Sequence, residues 1–369
     1  MDVNKLLALA IERCASDLHL NVGSEPVLRI DGRLRKIAEW PPTTAEDATE
    51  MVNQVTDKAQ RERFFKEKEL DISYSHPQLG RHRVNMLFQK GTISIAFRLL
   101  SAVLSPLESL GLPSFYGELS LKPRGLILVT GPTGSGKSTS MAAMVKHINM
   151  REERHIITIE DPIEYIHENI KSLILQRNVG EDTESFSEAL RRALRHDPDV
   201  IVVGEMRDLT TIATAISAAE TGHLVFATLH TVDAPETVNR IVDVFPAAQQ
   251  SQIVLQLSQV LIAVLSQTLV PLIGGGRTVA CEIMISNTAI KNNIRQRQTH
   301  MLHSIMETGR KEGMQTLDQA LARLVGQGLV SVIEAMAKSS DPAYLQSLIR
   351  TTGQIAPQRV EKTGQYVQR

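Results

Sequence analysis

The sequence has only two cysteines, Cys14 and Cys281, and no Cys-x-x-Cys pair. A four-thiolate zinc site is therefore excluded within one chain, and the pattern suits a reducing compartment without a disulfide framework. Charge of one sign is also missing: 40 Lys and Arg stand against 41 Asp and Glu, a net charge of −1. No global field then draws the chain to nucleic acid or anionic lipid. No cluster of basic or aromatic residues marks a pore loop for a nucleic-acid strand, so no nucleic-acid partner is expected. The opening stretch, MDVNKLLALAIERCASDLHL, lacks a basic leading region and a small-residue cleavage site, so no signal peptide is expected. There is no internal repeat and no low-complexity tract.

Long apolar runs are scarce too. No charged residue occurs between Asp243 and Arg277, but Gln249, Gln250, Gln252, Gln256, Gln259 and Gln267 interrupt the apolar residues and Pro271 ends the run. A spanning helix needs about 20 mostly apolar residues. The segment is predicted to be a buried or interface helix with one packed and one polar face, and the protein to meet a membrane only by docking on a partner.

What remains is an ordinary globular balance, 42% hydrophobic and 22% charged over 369 residues, enough for two domains. Residues 1–100 read as α+β. Val3, Leu6, Leu7, Ala10 and Ile11 have helical spacing. VLRIDGRLRKI is a hairpin around Asp31-Gly32, and RHRVNMLFQKGTISIAFRLL is a second one. In that second hairpin Val84, Met86 and Phe88 alternate with Arg81, Arg83 and Asn85, and Arg98 joins the polar face. A basic face of this kind is ordinarily just solvated. Residues 101–121, rich in proline, read as an inter-domain connection with a short helix.

From 122 to 285 apolar strands alternate with helical segments: GLILVTG, HIITIE, VIVVGE, HLVFATLH and TVACEIMI are separated by STSMAAMVKHIN, SFSEALRRALRH and LTTIATAISAAE. Ser185 with Glu188 predicts a capping box. This pattern is an α/β core with a mostly parallel sheet covered on both faces. Residues 286–345 turn helical, with Leu317, Ala320, Leu321, Leu324 and Val325 on one stripe, and 346–369 form a polar tail expected to be largely disordered.

GPTGSGKST, Gly131 to Thr139, follows an apolar strand and opens a helix. It fits a phosphate loop: Gly131, Pro132, Thr133, Gly134, Ser135, Gly136, Lys137, Ser138 and Thr139 would wrap the phosphates of ATP. Glycines let backbone N–H groups turn inward, Lys137 would reach the β- and γ-phosphates, and Ser138 would hold Mg²⁺. In an open parallel sheet, ligands bind beyond the carboxyl ends of the strands. The residues leaving those ends are Glu160, Asp161 and Glu164, then Glu205, then His230, whereas His223 opens its strand. Glu164 is the candidate base that orients or deprotonates water, and His230 the candidate γ-phosphate sensor, with a satisfied buried histidine as its plain alternative. Gly204 stands where many phosphate-loop proteins carry Asp, so Glu205 is expected to hold Mg²⁺ through water.

ASDLHL, GPTGSGKST, ITIEDPIE, LRHDPDVIVVGEMRD and TGHLVFATLHT together resemble the motif set of the secretion-superfamily ATPases of type II secretion and type IV pili. GMQTLDQAL and the overall length resemble its pilus retraction branch. The resemblance implies a PAS-like α+β N-terminal domain, a RecA-like phosphate-loop domain with a C-terminal helical segment, and a cytoplasmic homohexamer at the inner membrane. It implies that Glu164 is the catalytic acid of the Asp box, with Glu160 beside it near the nucleotide. Glu205 is the Walker B acid, and His223 and His230 are the His-box pair. Arg81 and Arg83 match arginines that reach the nucleotide, which turns the basic face from solvated to functional, with His82 replacing an aromatic. The implied partners are an inner-membrane pilus platform protein and a second retraction ATPase. The superfamily's assembly and secretion members usually carry a tetracysteine module and an extra N-terminal domain, neither of which is seen here. One departure stands out: AIKNNIRQ, Ala289 to Gln296, differs from the branch's AIRNLIRE at Lys291, Asn293 and Gln296. An accessory or assembly-type ATPase of the superfamily is the alternative reading, and a nucleic-acid translocase a more distant one.

Overall fold

The computed structural model describes residues 1–30, 32–99 and 104–352, which fall into two compact units. The first runs from Met1 and includes Glu164–Ile166; the second begins at Leu104.

The first unit contains α1 (Val3–Glu12), β1 (Asp17–Asn21), β2 (Val27–Ile30), β3 (Arg33–Lys36), α2 (Ala45–Val55), α3 (Lys58–Glu67), β4 (Glu69–His76), β5 (Gly80–Gln89) and β6 (Thr92–Leu99). Its six strands pair in the order β3-β2-β1-β6-β5-β4, all antiparallel. Both expected hairpins are present, although Asp31 itself lies outside the described residues. Val3, Leu6, Leu7 and Ala10 are buried on α1, but Ile11 is exposed. At 3.6 residues per turn Ile11 falls about 90° from the centre of the apolar stripe, so it belongs to the rim.

Alternation on β5 and β6 buries Val84, Met86, Ile93, Ile95 and Phe97 and turns Arg83 and Arg98 outward, whereas Arg81 is half-buried. Arg83 stands directly opposite Arg98 in the ladder. Like charges in that position repel; Asp71, 3.6 Å from Arg83, and Asp17, 3.1 Å from Arg98, offset the repulsion. His82 is fully buried and stacks on Tyr74 at 6.4 Å. Burial pulls its pKa down to about 4, so it is neutral and fills the role of an apolar ring.

The second unit contains α4 (Phe115–Ser120), β7 (Gly125–Thr130), α5 (Lys137–Arg151), β8 (His155–Glu160), β9 (Leu173–Asn178), α6 (Phe186–Ala193), β10 (Val200–Val203), α7 (Leu209–Glu220), β11 (Leu224–Leu229), α8 (Ala234–Asp243), α9 (Ala247–Val260), β12 (Leu261–Pro271) and β13 (Arg277–Ile285). The helices α10 (Thr288–Arg295), α11 (Leu302–Thr308), α12 (Leu317–Gly326), α13 (Val332–Met336) and α14 (Pro342–Thr352) follow. The seven-stranded sheet runs β13-β12-β7-β11-β10-β8-β9, parallel except for the β12–β13 pair. Leu107, Tyr116 and Leu119, within the proline-rich 101–121 stretch, are buried in this unit.

Three expectations need correction. The uncharged stretch after Asp243 is not one helix: α9 stops at Val260 and the chain continues directly as β12. Because β12 is buried on both faces, its apolar residues do not alternate, and periodicity alone cannot tell such a strand from a helix. Ser185 does cap α6 by accepting from the Glu188 N–H, but the reciprocal arm is missing, since Glu188 pairs with Arg191 and Arg192 instead. Order also extends past Gln346. Asp318 accepts from the Ser340 and Asp341 N–H groups at the start of α14, and Leu345 is buried. The rest of the tail, from 353, lies outside the described residues. The AIKNNIRQ segment forms α10, with Ile290 and Ile294 buried and Arg295 exposed.

Glu282 on β13 is a buried acid between two helix starts. It accepts from the Ala234 N–H of α8 at 2.8 Å and from the Leu317 N–H of α12. Burial, reinforced by Asp233 and Asp318, raises its pKa from 4.5 to about 7 despite those two donors. A raised carboxyl pKa means that the folded chain holds the proton while the unfolded chain releases it. Stability is therefore lost as pH rises from 4.5 towards about 7. Glu282→Gln should gain on the parent across that range, by roughly 3 kcal/mol at most, when urea unfolding at pH 5 and pH 8 is compared. A pH-independent difference between the two proteins would contradict this assignment.

Candidate active site

Register decides what meets at the carboxyl edge of the sheet. Thr130 pairs with Leu229 across β7 and β11, and Val203 pairs with Ala227 across β10 and β11. Gly131 and His230 are therefore side by side one residue beyond the first pair, and Glu205, two residues beyond Val203, stands level with Leu229. The loop from Gly131 to Gly136 turns through left-handed glycines, Gly134 at φ +79° and Gly136 at φ +90°. Gly131 has no room for a side chain: a Cβ there would lie 2.3 Å from the Gln267 carbonyl. The loop delivers the chain into α5, whose first residue is Lys137.

The structure brings Lys137, His230 and Glu205 together. Lys137 is buried, and its Nζ donates to the Gly131 carbonyl at 2.7 Å and the Pro132 carbonyl at 3.0 Å. The same Nζ stands 3.5 Å from His230 Nδ1, while His230 Nε2 lies 3.1 Å from Glu205 Oε1. An ammonium can only donate, so Nδ1 accepts and the ring proton sits on Nε2, where it donates to the carboxylate. Arg207 Nε reaches the same Oε1 at 2.5 Å. Partial burial opposes the charge of Glu205, but the hydrogen bond and charge of Arg207 and the hydrogen bond from His230 hold its pKa below the ordinary value. Its other oxygen, Oε2, and the Ser138 hydroxyl have no hydrogen-bond partner among the described residues.

The glycine before Glu205 has a steric cause. A Cβ on Gly204 would lie 3.0 Å from the Ile159 carbonyl and 3.3 Å from the Glu160 Cα. The Gly204 N–H donates to that Ile159 carbonyl at 2.7 Å, and its own carbonyl accepts from the Thr228 hydroxyl. An aspartate cannot enter between two such closely tied strands without moving one of them.

Glu160 sits at the end of β8 and accepts from the Thr158 hydroxyl at 2.6 Å and the Gln176 amide at 3.2 Å. Glu164 lies in the irregular loop after β8 and makes no hydrogen bond among the described residues. Arg81 and Arg83 are on β5 of the first unit. Within this chain His223 lies away from the phosphate loop. It precedes β11 and bonds through Nδ1 to the Ala218 carbonyl at 2.9 Å. Six strand residues at about 3.3 Å each put it roughly 20 Å from the phosphate loop, at the opposite edge of the sheet.

Two functional candidates were not found by sequence reasoning. Arg207 lies two residues after Glu205 in GEMRD, and its basic side chain beside a lone acid was the available signal. Gln267 belongs to a glutamine pattern that suits the polar face of a helix; only strand pairing reveals its place beside the loop.

Ser135 Oγ is buried inside the loop without a hydrogen-bond partner. An orphaned hydroxyl, left-handed glycines, a buried lysine and a free carboxylate oxygen together suit a triphosphate with Mg²⁺. The family description for the type II/IV secretion system protein matches residues 1–274. The chain belongs to this family. Within this secretion-system family it is 47% identical over 342 residues to the type IV pilus retraction ATPase PilT of Pseudomonas aeruginosa, covering 93% of this chain and 99% of that one. It is 38% identical over 351 residues to the type IV pilus ATPase PilU of the same organism, covering 95% and 92%. A crystal structure of the pilus retraction motor PilT with bound ADP matches with a TM-score of 0.89 and 47% identity, over 94% of this chain and 99% of that one. This family member is an ATPase of the PilT-like pilus retraction type.

The steric account of Gly204 has a direct check. Gly204→Asp should fold less stably by about 1–3 kcal/mol, the usual cost of overpacking, and should not raise ATP turnover. A stable variant with faster turnover would show that the missing second acid is a matter of choice rather than of space.

Proposed function

We propose that this protein is a homohexameric, Mg²⁺-dependent ATP-hydrolysing motor that powers type IV pilus retraction from the cytoplasmic face of the inner membrane. The observation that carries the reading is the Lys137–His230–Glu205 chain at the carboxyl ends of adjacent parallel strands. The likeness to PilT over nearly the whole chain supports the task to which the hydrolysis is put. No helix among the described residues is long and apolar enough to cross a membrane, so force would be delivered through a pilus platform protein. A second retraction ATPase would be a further partner.

In this reading the backbone of Gly131–Gly136 and the start of α5 bind the phosphates, joined by Thr139, and Lys137 exchanges its loop carbonyls for phosphate oxygens. Ser138 and, through water, Glu205 Oε2 would hold Mg²⁺, which when bound neutralises charge on the phosphates. His230 registers the departure of Lys137 on one nitrogen and passes it to Glu205 on the other. Glu164 takes the proton of the attacking water or orients that water. Arg81 and Arg83 supply positive charge to the transferring phosphoryl group in the manner of arginine fingers. No cluster of basic or aromatic residues in the sequence favours a nucleic-acid substrate, and ATP turnover should not respond to added DNA.

Lys137→Ala should lose tight nucleotide binding and hydrolysis together. Glu164→Gln should keep ATP binding while turnover falls by about 10²–10⁴, the usual worth of a positioned base. Loss of binding in Glu164→Gln would make that residue structural and remove it from the chemistry. The cellular role is tested by deleting the gene and counting surface pili. Retraction predicts surplus pili and lost twitching motility; a bald cell would point to the assembly-type alternative.

A further inference from the structure

Beneath the phosphate loop lies a buried polar network that the chemistry above does not use. Gln267, on β12 beside β7, is only 2% exposed. Its Nε2 donates to Ser140 Oγ at 2.8 Å and to the Tyr116 hydroxyl at 3.0 Å. The Ser140 hydroxyl lies 3.2 Å from Gln267 Oε1 and can donate back to it. Tyr116 donates onward to Cys281 Sγ at 3.5 Å. One residue earlier on β12, Ser266 accepts from the Thr130 hydroxyl at 2.9 Å. Every side chain in this group is buried.

The placement matters more than the burial. Ser140 lies in the first turn of α5, three residues after Lys137, and its own N–H donates to the Gly136 carbonyl at 2.9 Å. Gly131, at the other end of the loop, packs against the Gln267 main-chain carbonyl so closely that it can carry no Cβ. Gln267 thus touches the start of the loop through its backbone and the first turn of the helix that follows it through its amide. An apolar residue of the same size would fill the space but would leave the helix turn free to rotate and slide. Misplacing a binding group by a fraction of an ångström is costly because phosphate recognition depends on several donors converging at once.

We propose that Gln267 is a positioning residue for the phosphate loop: by clamping Ser140 and Gly131 to β12 it fixes where Lys137 and Ser138 point. The proposal rests on the reading of Gly131–Thr139 as the nucleotide site. Gln267 acts through Ser140, so removing either partner should have the same consequence, and removing both should add little.

The test is a four-variant comparison on the full chain. Gln267→Leu and Ser140→Ala should each raise the KM for ATP and the calorimetric Kd for ADP roughly tenfold, within the range that loop misplacement produces, and the double variant should be no worse than the more affected single. Ser140→Ala keeps the test open if Gln267→Leu does not fold. Ser172→Ala is the control: it removes a hydroxyl that donates to the Glu152 carbonyl at 2.7 Å and accepts from the Arg154 N–H at 3.3 Å, at the far end of the sheet. It should lower Tm without moving KM or Kd. Lys137→Ala sets the floor by removing the phosphate contact itself. Parent-like KM and Kd in both Gln267→Leu and Ser140→Ala, with only Tm lowered as in the control, would overturn the positioning role. Parent-like ADP binding in Lys137→Ala would instead overturn the nucleotide-site reading and the inference built on it.

Discussion

Parallel pairing of β7, β11 and β10 in one register is the constraint on which the rest depends. Leu229 beside Thr130 and Val203 beside Ala227 bring Lys137, His230 and Glu205 within hydrogen-bond reach at the sheet's carboxyl edge. A register slip in any of these three strands would separate them, and the cores on both faces of the sheet forbid it. The strands are apolar on both faces because helices cover both, so each contributes reactive groups only where it leaves the sheet.

Backbone closeness at that edge shapes the chemistry as much as the side chains do. Gly131 is pressed against β12 and Gly204 against β8, and neither position admits a Cβ without displacement. The second of these contacts leaves Glu205 as the lone acid at the end of its strand. Donors offset the partial burial of that acid, since Arg207 and His230 both address Oε1. The arrangement leaves one oxygen committed and the other available, which suits a group that holds a metal ion through water rather than directly.

Much of this was legible in the sequence. The strand-and-helix alternation of the second unit, both hairpins of the first, and the loop from Gly131 to Thr139 all follow from local residue pattern. What was not legible has common physical causes. β12 is buried on both faces and continues directly from α9, so no turn residue or change of period marks its start. With β12 unseen, Gln267 could not be placed beside the loop. His223 and His230 are close in sequence, but a six-residue strand separates them, and strand length carries His223 to the opposite edge. The Ser185 cap was readable because it is local, whereas its reciprocal arm was lost to competing arginines one turn later.

The central claim is that Lys137, His230 and Glu205 act as one unit, with His230 working through Glu205. The most direct measurement is a double-mutant cycle on kcat at saturating ATP, using His230→Ala, Glu205→Gln and the double variant. If the two residues act in series, the double variant should turn over about as slowly as the slower single, leaving a coupling of roughly 0.5–3 kcal/mol. Losses that multiply, with no coupling beyond error, would mean that His230 and Glu205 act independently and that their contact is only proximity.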